Sequence, residues 1–226
     1  MNKKWRLLLL MQDGWDYTLE KEAQCSAGYT GFVHRMLLKI DPVDYKRLLL
    51  IGACYTEIIL LQNERFDVTG IGLAKKTCDD VKYYRMDMHD IKFPPQSFDA
   101  IAFHGTFEHG MSVWLMVAEI RRVLRLGGRC YLDTPLWNDE THGNDALGWF
   151  SGMNRSHSNF LHPNQLKHVF RDMGFKLIYT FSEQENKHSF VFEKLPVEES
   201  AHVLVKPLME YEKINEPLEE ITKEKI

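Results

Sequence analysis

A chain of 226 residues, 44% hydrophobic and 27% charged, is long and apolar enough for one large α/β domain or two small ones, and its composition argues against disorder. A net charge of −4 supplies no electrostatic footprint for nucleic-acid binding, and no run approaches the ~20 apolar residues of a membrane-spanning helix. The four cysteines, Cys25, Cys54, Cys78 and Cys130, form no C-x-x-C pair, which argues against a zinc ribbon or redox dithiol and reads as free buried thiols in a reducing compartment.

Residues 1–45 read as an N-terminal lead-in that caps the fold or closes over a site. Two lysines precede the apolar run Leu7–Met11, but Gln12 and Asp13 end it without a small-residue cleavage site, so the sequence reads as cytoplasmic and not as a secretory leader. Gly14, Gly28 and Gly31 punctuate the lead-in, and Phe32–Ile40 is an amphipathic helix ended by Asp41-Pro42. From Arg47 the rhythm becomes strand and helix. Leu48–Ile51 is a continuous apolar strand of the kind covered on both faces. Gly52 turns the chain into a helix, Thr56–Asn63, capped by Thr56. Phe66–Ile71, Val81–Met86 and Phe98–Phe103 are further strands. Val113–Leu124 is a helix with Val113, Val117, Ile120, Val123 and Leu124 on one side. Gly127-Gly128 breaks it before a fifth strand, Arg129–Asp133.

Residues 135–162 are polar, aromatic and irregular, the composition of a substrate or lid loop. Pro163–Met173 is a helix with Gly174 at its end, and Phe175–Phe181 with Ser189–Glu193 make a hairpin. Strands alternating with helices predict an α/β domain over 46–195 with a mainly parallel sheet; the tail 196–226 alternates acid and base and reads as a solvated helix or a frayed terminus.

The segments RLLLIGACYTE, FDVTGIGLA, VKYYRMDMHDIKFPPQSFDAIAFHGTFEHG and EIRRVLRLGGRCYLDTP together resemble the class I S-adenosylmethionine-dependent methyltransferases over about residues 46–193. The most specific part is Phe93–Asp99, followed by Glu108-His109 and by Glu119–Pro135. The resemblance implies a Rossmann-like sheet of seven strands with the last antiparallel and helices on both faces. It also implies S-adenosyl-L-methionine as cofactor, with no metal expected.

Carried over residue by residue, the resemblance places the methionine end of that cofactor at Gly52, Ala53 and Cys54. The family's acid-x-Gly-x-Gly-x-Gly pattern falls on Leu50, Gly52, Cys54 and Thr56, so only Gly52 matches it. Gly72 stands where an acid usually receives the ribose hydroxyls, and Asp87 and Met88 stand where the adenine is held. Only nine residues, Leu73–Val81, separate the second and third strands, so the helix between them is short or missing. His104, beyond strand four, lines the cofactor or substrate pocket, and His104 and His109 are the general-base candidates, an imidazole titrating near neutrality. Asp99 reads as a structural residue that aligns the fourth strand. Trp137, Trp149, Arg155 and His157 of the long loop are the candidate substrate contacts, suited to a small polar, sugar-type acceptor or to a protein partner. Asp133-Thr134-Pro135 lacks the second proline of the amino-methylating nucleic-acid signature and follows the wrong strand. His157, His162 and His168 have no spacing for a metal.

Methyl transfer by in-line displacement needs alignment more than acid–base groups, so the absence of a triad does not count against it. The replaced anchors at Leu50 and Gly72 motivate a rival reading, a methyltransferase-like binding or scaffold protein without catalysis, since each lost charged hydrogen bond costs ~1.5–3 kcal/mol.

Overall fold

The computed structural model describes residues 26–73, 80–135, 161–184 and 187–196. The elements in chain order are α1 (Ser26–Leu37), β1 (Arg47–Ile51), α2 (Tyr55–Asn63), β2 (Asp67–Gly72), β3 (Tyr83–Arg85), β4 (Phe98–His104), a 3-10 turn (Phe107–His109), α3 (Val113–Val123), β5 (Leu124–Pro135), α4 (Pro163–Asp172), β6 (Phe175–Gln184) and β7 (Lys187–Lys194). The seven strands form one sheet in the order β3-β2-β1-β4-β5-β7-β6. The first five pair in parallel, while β7 runs antiparallel to both β5 and β6. This is the Rossmann-like arrangement expected from the sequence.

The alternation of β1 divides the core. Leu48 and Leu50 point to one face, where Phe32, Val33, Met36 and Ile40 of the lead-in pack with Ile58 and Leu61 of α2. Leu49 and Ile51 point to the other, against Met116, Val117, Ile120 and Val123 of α3 and Leu166 and Phe170 of α4. Both faces being covered explains why the strand reads as unbroken leucine and isoleucine.

Buried polar groups tie these layers together. Asp99 accepts from the Arg47 amide at 2.8 Å, from the Arg47 guanidinium and from Arg125 Nε, pinning the starts of β1 and β4 to the β5 side. That is the structural role the sequence suggested. Glu119 and Arg122 of α3 grip the strand-four entry: the Ile91 amide donates to Glu119, and Arg122 donates to the carbonyls of Ile91 and Phe93. Lys194, buried at the end of β7, donates to the carbonyls of Arg121 and Leu124, so a cation caps the C-terminal end of α3.

Several boundaries differ from expectation. α1 starts at Ser26 and ends at Leu37, so Gly28 and Gly31 lie inside a helix and do not punctuate it. The chain then leaves through a turn in which Asp41 accepts the Val43 amide. α2 is capped by Cys54 and not by Thr56, because Cys54 alone is extended and offers its Sγ to the Glu57 amide. β5 begins at Leu124, directly after α3. Gly127, at φ +65, closes a bulge of residues 125–128 between two stretches that both pair with β4, so the glycines interrupt the strand and do not precede it. β3 is shorter than expected, and β6 and β7 approach to within two residues of each other.

Residues 1–25, most of the lead-in, lie outside the described residues, as do 74–79, 136–160 and 197–226. With them fall Trp137, Trp149, Arg155 and His157, the helix question between β2 and β3, and the charged tail. Among the described residues no helix is long and apolar enough to cross a membrane.

Candidate functional site

The carboxyl ends of β1, β2, β4 and β5 share one edge of the sheet, where open α/β folds bind ligands. Gly52 leaves β1 at φ +74, and its amide and that of Ala53 both donate to the Ile71 carbonyl of β2. A Cβ built on Gly52 would lie 2.1 Å from Thr106 Oγ1, so the close approach of the loop after β4 requires glycine here. Gly52 is exposed, whereas Ala53 and Cys54 are buried.

The turn is capped from within. Cys54 Sγ accepts from the Glu57 amide at 3.4 Å, and Glu57 Oε2 accepts from the Cys54 amide at 3.1 Å, a reciprocal capping box. Glu57 Oε1 accepts from His104 Nδ1 at 2.6 Å. The His104 ring also stacks on Phe32 of α1, with centroids 4.7 Å apart and planes within 9°. Leu50, at the position of the family's acid, is fully buried between the sheet and the α1/α2 layer. The carboxylate beside this turn therefore comes from α2.

Beyond β4, Glu108 is buried, and its Oε2 accepts from Thr134 Oγ1 at 3.0 Å. Burial raises its carboxyl from an ordinary 4.5 to about 7; the Asp133 charge adds to the rise, while the hydrogen bonds from its own amide and Thr134, with the nearby His104, hold it back. Asp133 pairs with Arg35 of α1 at 2.7 Å, and Arg35 Nε donates to the Tyr131 hydroxyl. The lead-in helix thus forms one wall of this edge through Phe32 and Arg35.

Asp87 and Met88 follow β3. Asp87 Oδ1 accepts from His89 Nδ1 at 2.7 Å and from the His89 amide, and His89 Nε2 accepts from the Ser112 amide ahead of α3. Since Nε2 accepts, the ring proton sits on Nδ1. Met88 packs against the α3 side of the core. Gly72, at the end of β2, is partly exposed and faces Gly52: a Cβ on Gly72 would lie 3.8 Å from Gly52 Cα. His109 closes the 3-10 turn, its amide donating to the Thr106 carbonyl.

The structure therefore gathers Gly52, Ala53, Cys54, Gly72 and His104 around the first turn. Asp87 and Met88 follow the neighbouring strand, and His109 lies one residue past Glu108. Sequence reasoning assigned no role to Glu57, Arg35 or Glu108. Glu57 has the capping-box spacing from Cys54, a signal masked because the cap is a thiol. Arg35 was not, since Asp133 lies 98 positions away in sequence. His162 caps α4, its Nδ1 accepting from the Asn164 amide. Cys54 and Cys130 are buried and neither is in a disulfide. Among the described residues no group of three or more His, Cys, Asp or Glu is placed to hold a metal ion.

Comparison with known proteins adds the following. Residues 51–132, from the end of β1 into β5, match the family model described as a methyltransferase domain. Among solved structures, a chain of the complex between the Haloferax volcanii Trm112 methyltransferase activator and a putative methyltransferase is similar, with a TM-score of 0.63 at 13% identity over 87% of this chain and 100% of that one. A SAM-dependent methyltransferase of Methanosarcina mazei gives 0.58 at 17% identity over 72% of this chain and 96% of that one. The geranyl diphosphate C-methyltransferase of Streptomyces coelicolor, solved with S-adenosyl-L-homocysteine, gives 0.61 at 14% identity over 80% and 86%. No curated protein matches the chain. The class I methyltransferase resemblance read from the sequence is borne out by the family match and by the shared fold.

Proposed function

We propose that the chain binds S-adenosylmethionine at the carboxyl edge of β1, β2 and β4 and promotes methyl transfer to a small-molecule acceptor in a reducing, cytoplasmic setting. The observation that carries this reading is the convergence there of two bare glycines, Gly52 and Gly72, with the polar layer of His104, Glu108 and Asp133 just beyond. Thr106 stands against Gly52 and the Tyr83 hydroxyl against Gly72, so both positions stay bare and the two stretches of backbone lie close together at this edge, which supports a ligand held against backbone.

In this reading Gly52, Ala53 and Cys54 face the methionine end, Gly72 the ribose, and Asp87 with Met88 the adenine. Bound S-adenosylmethionine supplies a methyl group on a sulfonium, open to in-line attack, so positioning dominates the barrier. His104, fixed by Glu57 and Phe32, is a rigid pocket wall. Glu108, with a carboxyl that titrates near neutrality, accepts the proton released by the acceptor, and His109 is the second candidate for that role. Trp137, Trp149, Arg155 and His157 are the candidate acceptor contacts. Support for a small acceptor comes from geranyl diphosphate in the Streptomyces structure, and support for a protein partner, through loop 135–162 or the tail, from the activator in the Haloferax complex.

A rival reading, a non-catalytic methyltransferase-like module, is favoured by the turn itself. Leu50 belongs to the core, and the Cys54 amide is already taken by Glu57. Calorimetry with S-adenosylmethionine and S-adenosylhomocysteine separates the two. Micromolar binding is expected; no heat from either ligand at millimolar concentration overturns the enzyme reading and leaves the module.

A further inference from the structure

Rossmann-type sheets place an acid near the end of their second strand to receive a ribose hydroxyl. Here that position is Gly72, and a side chain from the neighbouring strand already occupies the space. A Cβ on Gly72 would lie 2.8 Å from the Tyr83 hydroxyl and 3.7 Å from its Cζ, and a Cβ on Gly70 would lie 3.2 Å from the ring. Tyr83 pairs with Gly70 across the parallel ladder, so its ring runs along β2 over two glycines and delivers the hydroxyl beside Gly72. Any side chain at Gly72 would meet that hydroxyl. The same point faces Gly52 Cα, placing the phenol at the mouth of the first turn, where Gly72 and Tyr83 are both partly exposed.

We propose that the Tyr83 hydroxyl is the ribose contact of this site, standing in for the strand-end acid in binding an adenine nucleoside. This rests on the nucleoside-binding part of the reading above. Burial raises the phenol's pKa well above its ordinary value, so it stays neutral and can both donate and accept. A single oxygen reaches one ribose hydroxyl, where a carboxylate can receive two. The contact is therefore selective for one hydroxyl of the pair.

The test compares wild type and Tyr83→Phe by calorimetry with S-adenosylhomocysteine, its 2′-deoxy and 3′-deoxy analogues, and adenosine. Tyr83→Phe is expected to weaken S-adenosylhomocysteine about 5-fold, the scale of one neutral hydrogen bond, and to leave one of the two deoxy analogues unaffected. Equal weakening for all ligands would mark a structural role, and no weakening would mark no contact; either overturns the proposal. Should Tyr83→Phe fail to fold, Gly72→Ala displaces the hydroxyl and is expected to weaken binding likewise, with an unchanged affinity overturning the proposal. If the wild type binds adenosine but not S-adenosylhomocysteine, the methyltransferase reading falls while adenosine still decides Tyr83. If it binds neither, both fall.

Discussion

His104 Nδ1 donates to Glu57 Oε1 at 2.6 Å, across 47 positions of sequence, joining the carboxyl end of β4 to the first turn of α2. The other Glu57 oxygen holds the Cys54 amide, so one carboxylate sets both the turn after β1 and the histidine after β4. Glu57→Ala removes both contacts and is expected to lower stability by about 2 kcal/mol, while Glu57→Gln retains part of the cap and loses less. Urea unfolding of the two variants checks the order; equal losses would mean that the amide keeps none of the cap, and no loss in Glu57→Gln would mean that the side chain acts only as packing.

Glu108 gives a pH signature. Its carboxyl is raised in the folded state, so the stability it contributes is fully present below its unfolded value near 4.5 and is lost as pH rises through about 7. Glu108→Gln lacks this dependence. The variant is expected to gain stability relative to wild type between pH 5 and pH 8, by an amount on the order of 3 kcal/mol at the upper end. A stability difference that stays flat across that range would show that Glu108 titrates normally. If Glu108 also takes the acceptor's proton, the methylation rate of wild type rises over the same window and that of the variant does not.

Asp99 has the opposite sign. Burial pushes its carboxyl up, but hydrogen bonds and charge from Arg47, with a further bond from Arg125, outweigh it and hold the carboxyl below the ordinary range. Its contribution is therefore present at neutral pH and lost as pH falls through the depressed value. Asp99→Asn is expected to cost about 1–3 kcal/mol at pH 7 and clearly less at pH 3. Denaturant midpoints at the two pH values measure this; a cost that does not shrink in acid would contradict it.

Arg35 links the lead-in helix to the site edge. Arg35→Ala leaves Asp133 buried without its 2.7 Å partner and is expected to destabilise by about 3 kcal/mol. Arg35→Ala/Asp133→Asn is expected to recover part of that loss, because the stranded charge goes with it. Thermal unfolding of the single and double variants decides; strictly additive losses would show that the pair is not coupled.

What was legible in the sequence follows from how local each signal is. β1 was legible because a strand covered on both faces reads as an unbroken apolar run, β4 because Ala100–Phe103 reads likewise after Asp99, and α3 because five apolar residues share one side. The family resemblance came from Phe93–Asp99 and Glu119–Pro135, and the structure shows part of the reason: Glu119 and Arg122 hold the loop that enters β4, and Asp99 holds two arginines. The start of β5 was hidden because Gly127-Gly128 looks like a boundary, although the strand pairs on both sides of it. Cys54 was passed over as a cap because thiols rarely serve as one; its extended backbone settles the matter. Tyr83 and Arg35 act through partners on other elements, a relation that a linear sequence does not display.

The last strand of the sheet in sequence is not the last in space. β7 lies between β5 and β6, and among the described residues β6 pairs with β7 alone. During synthesis, β5 keeps an open edge, and β6 has nothing to pair with, until residue 194 has left the ribosome. That interval favours misregistered pairing and association between nascent chains, and a stop codon before Lys187 would detach two strands and not one. The short interval between β6 and β7 limits the exposure, because once β6 has emerged its partner follows almost at once.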